Sequence, residues 1–230
     1  FHAGPGRFAG IIEGGCGQLA EQLSNHILEL GGTIRFDTEV TSIIQKGSGN
    51  GKQISDVLLN SDEKVNISDN IIISTLPVTT IAKLVGIDTN LYFRSILLVN
   101  LVIKGADRFP QEYDWLYFDD YDIPFHRVGM QTRFSREGVP DGYQVMCCEI
   151  VFQDAMTDEK IDELSEKTVD CLTKFGFVER ENIIDIVALN IGPVYPGYFN
   201  GYEAEYSRIA GLLGTFENFY ALGSLAEYSY

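Results

Sequence analysis

From residue 91 to residue 152 the chain repeats one pattern, and that pattern limits the fold more than any other feature. LYFRSILLVNLVIKG, DWLYF, PFHRVGMQTRF and YQVMCCEIVF are rich in aromatic and β-branched residues, which suit a pleated, half-buried surface. FPQEY, DDYDIP and EGVPDG separate them, and their proline, glycine and aspartate are turn formers. Strands joined by short turns pair antiparallel, so this stretch predicts a meander.

The residues before it follow another pattern. GGCGQLAEQLSNHILELGGTIRF reads as glycine loop, helix, glycine stop and strand, with Leu19, Leu23, Ile27 and Leu30 forming one apolar stripe at helical period. EVTSII is a strand, KGSGNGK a turn, and ISDVLLN with KVNIS a hairpin around SDE. NIIISTLP predicts a buried strand broken by Pro77, and VTTIAKLVG a short helix. Beyond the meander, TDEKIDELSEKTVDCLTKFGF predicts a helix capped by Thr157, with Lys160 where a capping box has Glu or Gln. NIIDIVALNI, GYEAEYSRIAGLLG and FYALG follow as strand, helix and strand. The fold class expected is therefore α/β (α+β), with the change from βα to meander patterning near Pro77.

Composition narrows the function. The 230 residues are 45% hydrophobic, enough for a sizeable core. A formal net charge of −16 argues against nucleic acid and against anionic membrane surfaces. It leaves room for an anionic small molecule, because a few arginines in a cleft reverse the field locally. Cys16, Cys147, Cys148 and Cys171 contain no CxxC pair, which suits reduced thiols and a cytoplasmic location. There is no run of 18 apolar residues and no signal peptide, although the chain opens on Phe1, which leaves a removed upstream segment open. NIS at 66–68 matches a glycosylation sequon, discounted without a secretory signal.

Few residues suggest chemistry on their own. GPGRFA at 4–9 fits G-x-G-x-x-A but has no strand before it and reads as a loop. His2, His26 and His126 do not pair at metal-ligand spacing, and no Ser/His/Asp or Cys/His set occurs. PFHRV places Arg127 on a half-buried strand, where a guanidinium needs an anionic partner. That partner is either a structural carboxylate, Glu149 being the natural choice, or a ligand phosphate. The absence of a self-contained catalytic set points to a binding domain or to chemistry held by a cofactor.

Taken together, the motifs resemble one family. GGCGQLAEQL…GGTIRFDTEVTSI and IISTLP resemble segments of the flavin-containing amine oxidase superfamily. WLYFDDYDIPFHRVGMQTRFSREGVPDGYQVMCCEI, then VYP and NFYALGSLAEYSY, are similar to the UDP-galactopyranose mutase branch. The resemblance implies an FAD-dependent enzyme whose N-terminal Gly-x-Gly-x-x-Gly unit lies upstream, so that this chain alone is expected to be inactive and colourless. It implies a cofactor-domain remnant at 1–76 and 216–230 around a substrate domain at 77–215. Val40, Thr75, Pro77, Gly223 and Ser224 would lie beside the cofactor. Arg127, Tyr195 and Tyr230 would bind the diphosphate of a nucleotide sugar. Ser224 stands where the family has arginine, which puts mutase chemistry in question more than flavin binding. The alternatives are an FAD-dependent oxidoreductase of the amine or protoporphyrinogen oxidase type, and a non-catalytic sugar-nucleotide-binding module.

Overall fold

The computed structural model describes residues 15–60 and 62–229. The fold class is the expected one, mixed α+β with antiparallel sheets. Spatial proximity divides the chain into two compact units, Phe1–Ile34 with Ile96–Ile191 and Arg35–Ser95 with Gly192–Tyr230.

The first unit is built on the meander. Residues 96–191 supply most of a five-stranded sheet of β5 (Phe93–Lys104), β6 (Trp115–Tyr117), β7 (Arg127–Met130), β8 (Tyr143–Phe152) and β9 (Ile183–Pro196), in the order β6-β7-β8-β5-β9. Consecutive β6, β7 and β8 pair antiparallel. The strand expected over PFHRVGMQTRF ends at Met130, and Gln131–Phe134 turns into a one-turn helix, α3. Alternation along β5 sends Leu97, Val99, Leu101 and Ile103 into the core, where they meet Val128, Met130, Met146 and Cys148. Helix α4 (Asp158–Lys174) adds Val169 and Leu172 to that core. Each fully buried side chain of this size stabilises by roughly 1.5–3 kcal/mol. The Thr157 hydroxyl accepts from the Lys160 backbone N–H at 3.3 Å. The cap therefore forms without an acid at position 160, because the bond uses only the main chain of that residue. Helix α1 (Cys16–Glu29) forms as expected, but its stripe is exposed: Leu19, Leu23 and Ile27 are each about half accessible and none of its residues is buried. TIRF, expected as a strand, has no ladder partner among the described residues and is irregular.

The second unit holds an antiparallel three-stranded sheet of β1 (Val40–Lys46), β2 (Gln53–Leu59) and β3 (Glu63–Asn66). It also holds a parallel pair, β4 (Ile72–Ser74) with β10 (Phe219–Ala221). The buried strand expected at NIIISTLP is a correction: β4 has only three residues, and Ile71 and Ile73 are 72% and 63% exposed. Only Ile72 of these three isoleucines packs against the core, because β4 pairs on one side with β10 and is covered on one face. Helices α2 (Val78–Leu84) and α5 (Tyr202–Leu213) bury Val78, Ile81, Ala82, Ile209 and Leu213 around Phe219 and Tyr228. The side chain of Asn218 ties β2 to β10 by accepting from the Ile54 N–H and donating to its carbonyl, both at 2.9 Å.

One ion pair fixes the loop before β5 to α5. Arg208 donates to both carboxylate oxygens of Glu205 at 2.8 Å, and the Asn90 N–H donates to one of them at 3.4 Å. Arg208 is the main cause, with partial burial opposing it, that the Glu205 carboxyl is held down at about 2. A carboxyl depressed below its unfolded value of about 4.3 adds stability above that pH, and loses it as the pH falls toward 2. Arg208→Ala is expected to move the Glu205 titration midpoint up toward about 4.3 in a carboxyl NMR titration. An unmoved midpoint refutes the assignment.

Candidate functional site

Strand register builds a cleft from residues far apart in the sequence. Tyr117 lies opposite Arg127, and Arg127 opposite Glu149. Trp115 lies opposite Gly129, and Gly129 opposite Cys147. Residues two apart on a strand share a face, so these two rows of three lie side by side on one surface of the sheet. Helix α3 adds Gln131 and Phe134 to give a cleft of about 350 Å³. The Trp115 and Phe134 rings stack with centroids 5.7 Å apart. Gly129 keeps the cleft floor low: a Cβ there would sit 3.3 Å from the Cβ of Trp115 and from the Asp114 carbonyl oxygen.

Arg127 dominates the electrostatics. Its Nη2 donates to Glu149 Oε1, its Nη1 to the Tyr117 hydroxyl at 3.4 Å, and its guanidinium lies over the Tyr117 ring at 5.9 Å. Burial works against its charge, but hydrogen bonds to Glu149 and Tyr117 outweigh it and hold Arg127 above its ordinary value. Of the two partners the sequence leaves open, the structure contains the carboxylate. Two of its five N–H groups are engaged in these contacts, and the side chain is 36% exposed. Burial, helped by Glu149 and opposed by Arg127, pushes the Cys147 thiol up to about 12. The role of Glu149 as a wall of the cleft, and those of Trp115 and Phe134, are not among the expected site residues. The signal that could have found them is the register, since Arg127 and Glu149 stand opposite one another on consecutive meander strands.

The expected cofactor-side residues lie in the second unit. Val40 and Thr75 line a common cleft of about 500 Å³, with Ile43, Ile72, Thr80 and Leu84. Val40 is half-buried, Thr75 exposed and Pro77 buried at the start of α2. Gly223 and Ser224 are exposed and do not line that cleft. They share its strand edge, however. Because β4 and β10 run parallel, Ser74 sits beside Ala221 and both chains leave at the carboxyl end of the pair. Leu222 N–H donates to the Ser74 carbonyl at 2.9 Å, and Val78 N–H to the Leu225 carbonyl at 3.1 Å. Thr75, Pro77, Gly223 and Ser224 thus occupy two adjacent loops at the edge where open parallel sheets hold ligands. Gly223 has φ +91°, a left-handed turn that suits glycine.

Tyr195 is half-buried near the end of β9. Its neighbour Gly197 accepts a hydrogen bond from the buried Tyr228 hydroxyl at 2.8 Å, and the Tyr92 carbonyl lies at the same distance from that hydroxyl. Tyr230 and the GPGRFA segment lie outside the described residues. Among the described residues no cluster of His, Cys, Asp or Glu could hold a metal ion, and no helix is long and apolar enough to cross a membrane.

The fold has solved counterparts. A reduced UDP-galactopyranose mutase superposes with a TM-score of 0.62 at 18% identity, over 76% of this chain and 40% of its own. A protein from Exiguobacterium sp. 255-15, provisionally described as a protoporphyrinogen oxidase, gives 0.66 at 16% identity over 92% and 46%. A putrescine oxidase bound to putrescine gives 0.56 at 15% identity over 94% and 49%. This chain spans less than half the length of each. No protein-family profile and no curated protein matches the sequence. At these identities the likeness is one of fold.

Proposed function

We propose that this chain is part of a flavin-dependent enzyme that acts on a nucleotide sugar, interconverting the pyranose and furanose forms of a UDP-linked galactose for cell-surface polysaccharide synthesis. The observation that carries it is Arg127, held at the wall of an aromatic cleft with donors to spare. A partly desolvated guanidinium forms charge-assisted bonds to a diphosphate, and Trp115 offers a flat apolar surface to a ring. The flavin-containing superfamily resemblance and the mutase fold neighbour support the same reading. In it, residues 1–76 with 216–230 serve the cofactor and 77–215 the substrate, in the cytoplasm.

The residues present suit a flavin. Val40 and Thr75 share an apolar cleft, and the glycine turn at 223 lies beside the loop of Thr75 and Pro77. Bound FAD would supply the chemistry at the anomeric carbon. Arg127 would orient the sugar nucleotide and neutralise charge on the departing diphosphate. The full-length protein, given UDP-galactopyranose and dithionite, is expected to form the furanose isomer on chromatography. No isomer from flavin-loaded, reduced protein overturns the proposal.

Ser224 in the place of the family arginine favours a second reading, an FAD-dependent oxidoreductase. Under that reading, aerobic turnover of an amine or porphyrinogen releases hydrogen peroxide, and UDP-galactopyranose is left unchanged.

A further inference from the structure

Glu149 carries a buried acceptor oxygen that receives no hydrogen bond among the described residues. Glu149 is 8% exposed. Its Oε1 takes the Arg127 hydrogen bond, while Oε2 is buried and has no hydrogen-bond partner among the described residues. The nearest candidate is His126, whose Nε2 is 3.6 Å from Oε2. The other ring nitrogen, Nδ1, lies 2.9 Å from the Glu149 backbone carbonyl, which also receives the His126 backbone N–H. A carbonyl only accepts, so Nδ1 carries the ring proton. In the neutral ring Nε2 is then a lone pair facing a lone pair, and in the protonated ring its N–H faces Oε2 as an ion pair at 3.6 Å, beyond hydrogen-bond distance. The adjoining row carries two donors, the Trp115 indole N–H and the weak Cys147 thiol, and neither makes a hydrogen bond to Oε2.

An unmet, desolvated carboxylate oxygen in a cleft wall is rare in native proteins, because leaving it unpaired is costly. It repels an anion. A neutral donor would satisfy it.

We propose that Glu149 Oε2 is the specificity-determining acceptor of the Trp115–Phe134 cleft, taking a hydrogen bond from a hydroxyl or N–H of the ligand beside the anionic group that Arg127 holds. The inference rests on the nucleotide-sugar reading and adds to it the side of the ligand that is discriminated. The diphosphate lies on Arg127, and a hydroxyl of the glycosyl ring turns toward Glu149. UDP alone meets Arg127 and leaves Oε2 empty. The nucleotide sugar satisfies both.

The test measures binding of UDP and of UDP-galactopyranose to the full-length protein by calorimetry. In wild type the sugar nucleotide binds more tightly than UDP. Glu149→Gln is expected to weaken UDP-galactopyranose by about fivefold to tenfold while UDP changes by less than about twofold, the difference between a charge-assisted and a neutral hydrogen bond. Equal losses for both ligands mean that Glu149 acts only by orienting Arg127, and they overturn the proposal. So does no loss for either. Should the variant not fold, wild type is titrated with UDP-galactose analogues carrying fluorine in place of each hydroxyl in turn. One analogue is expected to lose about tenfold, and uniform affinity across the set overturns the proposal. Wild type that binds neither UDP nor the sugar nucleotide is a different outcome: it removes the nucleotide-sugar reading and this inference with it.

Discussion

Gly197→Ala is expected to lower the thermal midpoint by roughly 5–10 °C. A Cβ at this position would lie 2.0 Å from Cε2 of Tyr92, 2.3 Å from its Cζ and 2.5 Å from its Cδ2, so the ring must leave its place. The same residue is engaged through its backbone. Its N–H donates to the Tyr92 carbonyl at 2.9 Å, and its carbonyl accepts from Tyr228. Tyr228 is 3% exposed with φ +50°, a conformation that non-glycine residues adopt only when their surroundings hold them. Those surroundings are the rings of Phe93, Tyr198, Tyr202 and Tyr206, with centroids 5.2 to 6.4 Å away. Overpacking of this kind costs about 2–3 kcal/mol, and each kcal/mol moves the midpoint of a chain this long by about 2–4 °C. Gly211→Ala is the control. Beyond the helix's own backbone and its chain neighbours, no atom lies within 4 Å of the Cβ added at this position in the last turn of α5, so it is expected to be neutral or to stabilise by up to about 1 kcal/mol. Scanning calorimetry of both variants decides. Equal midpoints show that the Tyr92 ring swings aside at no cost.

Arg127→Ala is expected to reduce both stability and UDP affinity. Removing one partner of a buried pair leaves its counter-charge stranded, typically at about 3–5 kcal/mol. The Arg127 side chain is 36% exposed and Glu149 11%, so solvent screening brings the expected stability loss down to about 2–3 kcal/mol. In the full-length protein UDP affinity should fall by more than about tenfold, since a charge-assisted contact is lost. Flavin content should not change, because the cofactor-side residues Val40, Thr75, Pro77, Gly223 and Ser224 belong to other strands and loops. A lowered melting point with unaltered UDP affinity would make Arg127 a structural residue only.

Much of the fold is legible in local pattern. Turn residues separate the meander strands, Thr157 announces α4, and proline marks the start of α2. These signals need only neighbours in the sequence. The misreadings share a cause: exposure depends on what lies across space. NIIISTLP looks buried because three isoleucines are consecutive, yet only Ile72 faces the core. The α1 stripe has ideal spacing, yet none of its residues is buried among the described residues. The site divides in the same way. Arg127 draws notice as a charge on an apolar strand, and Glu149 follows once two strands are expected side by side. The stacking of Trp115 on Phe134 depends on the turn into α3 after Met130, which the apolar run through PFHRVGMQTRF conceals.

The bonds from Asn218 to Ile54 join residues 164 apart in sequence. The parallel ladder from Ile72 to Phe219 has the same character. Contacts of such separation form late, because a long loop must close before any of them is rewarded. During synthesis on the ribosome, β1 to β4 and α2 therefore wait, with their core side open, until residues 218–221 have emerged. The meander and α4 are contiguous and can condense in the interval. The second unit consequently has a window of vulnerability in which Ile54, Ile72 and Ile81 are uncovered and prone to associate with other nascent chains. Slower translation after β9 would lengthen that window, and a chaperone that binds apolar strands would protect it.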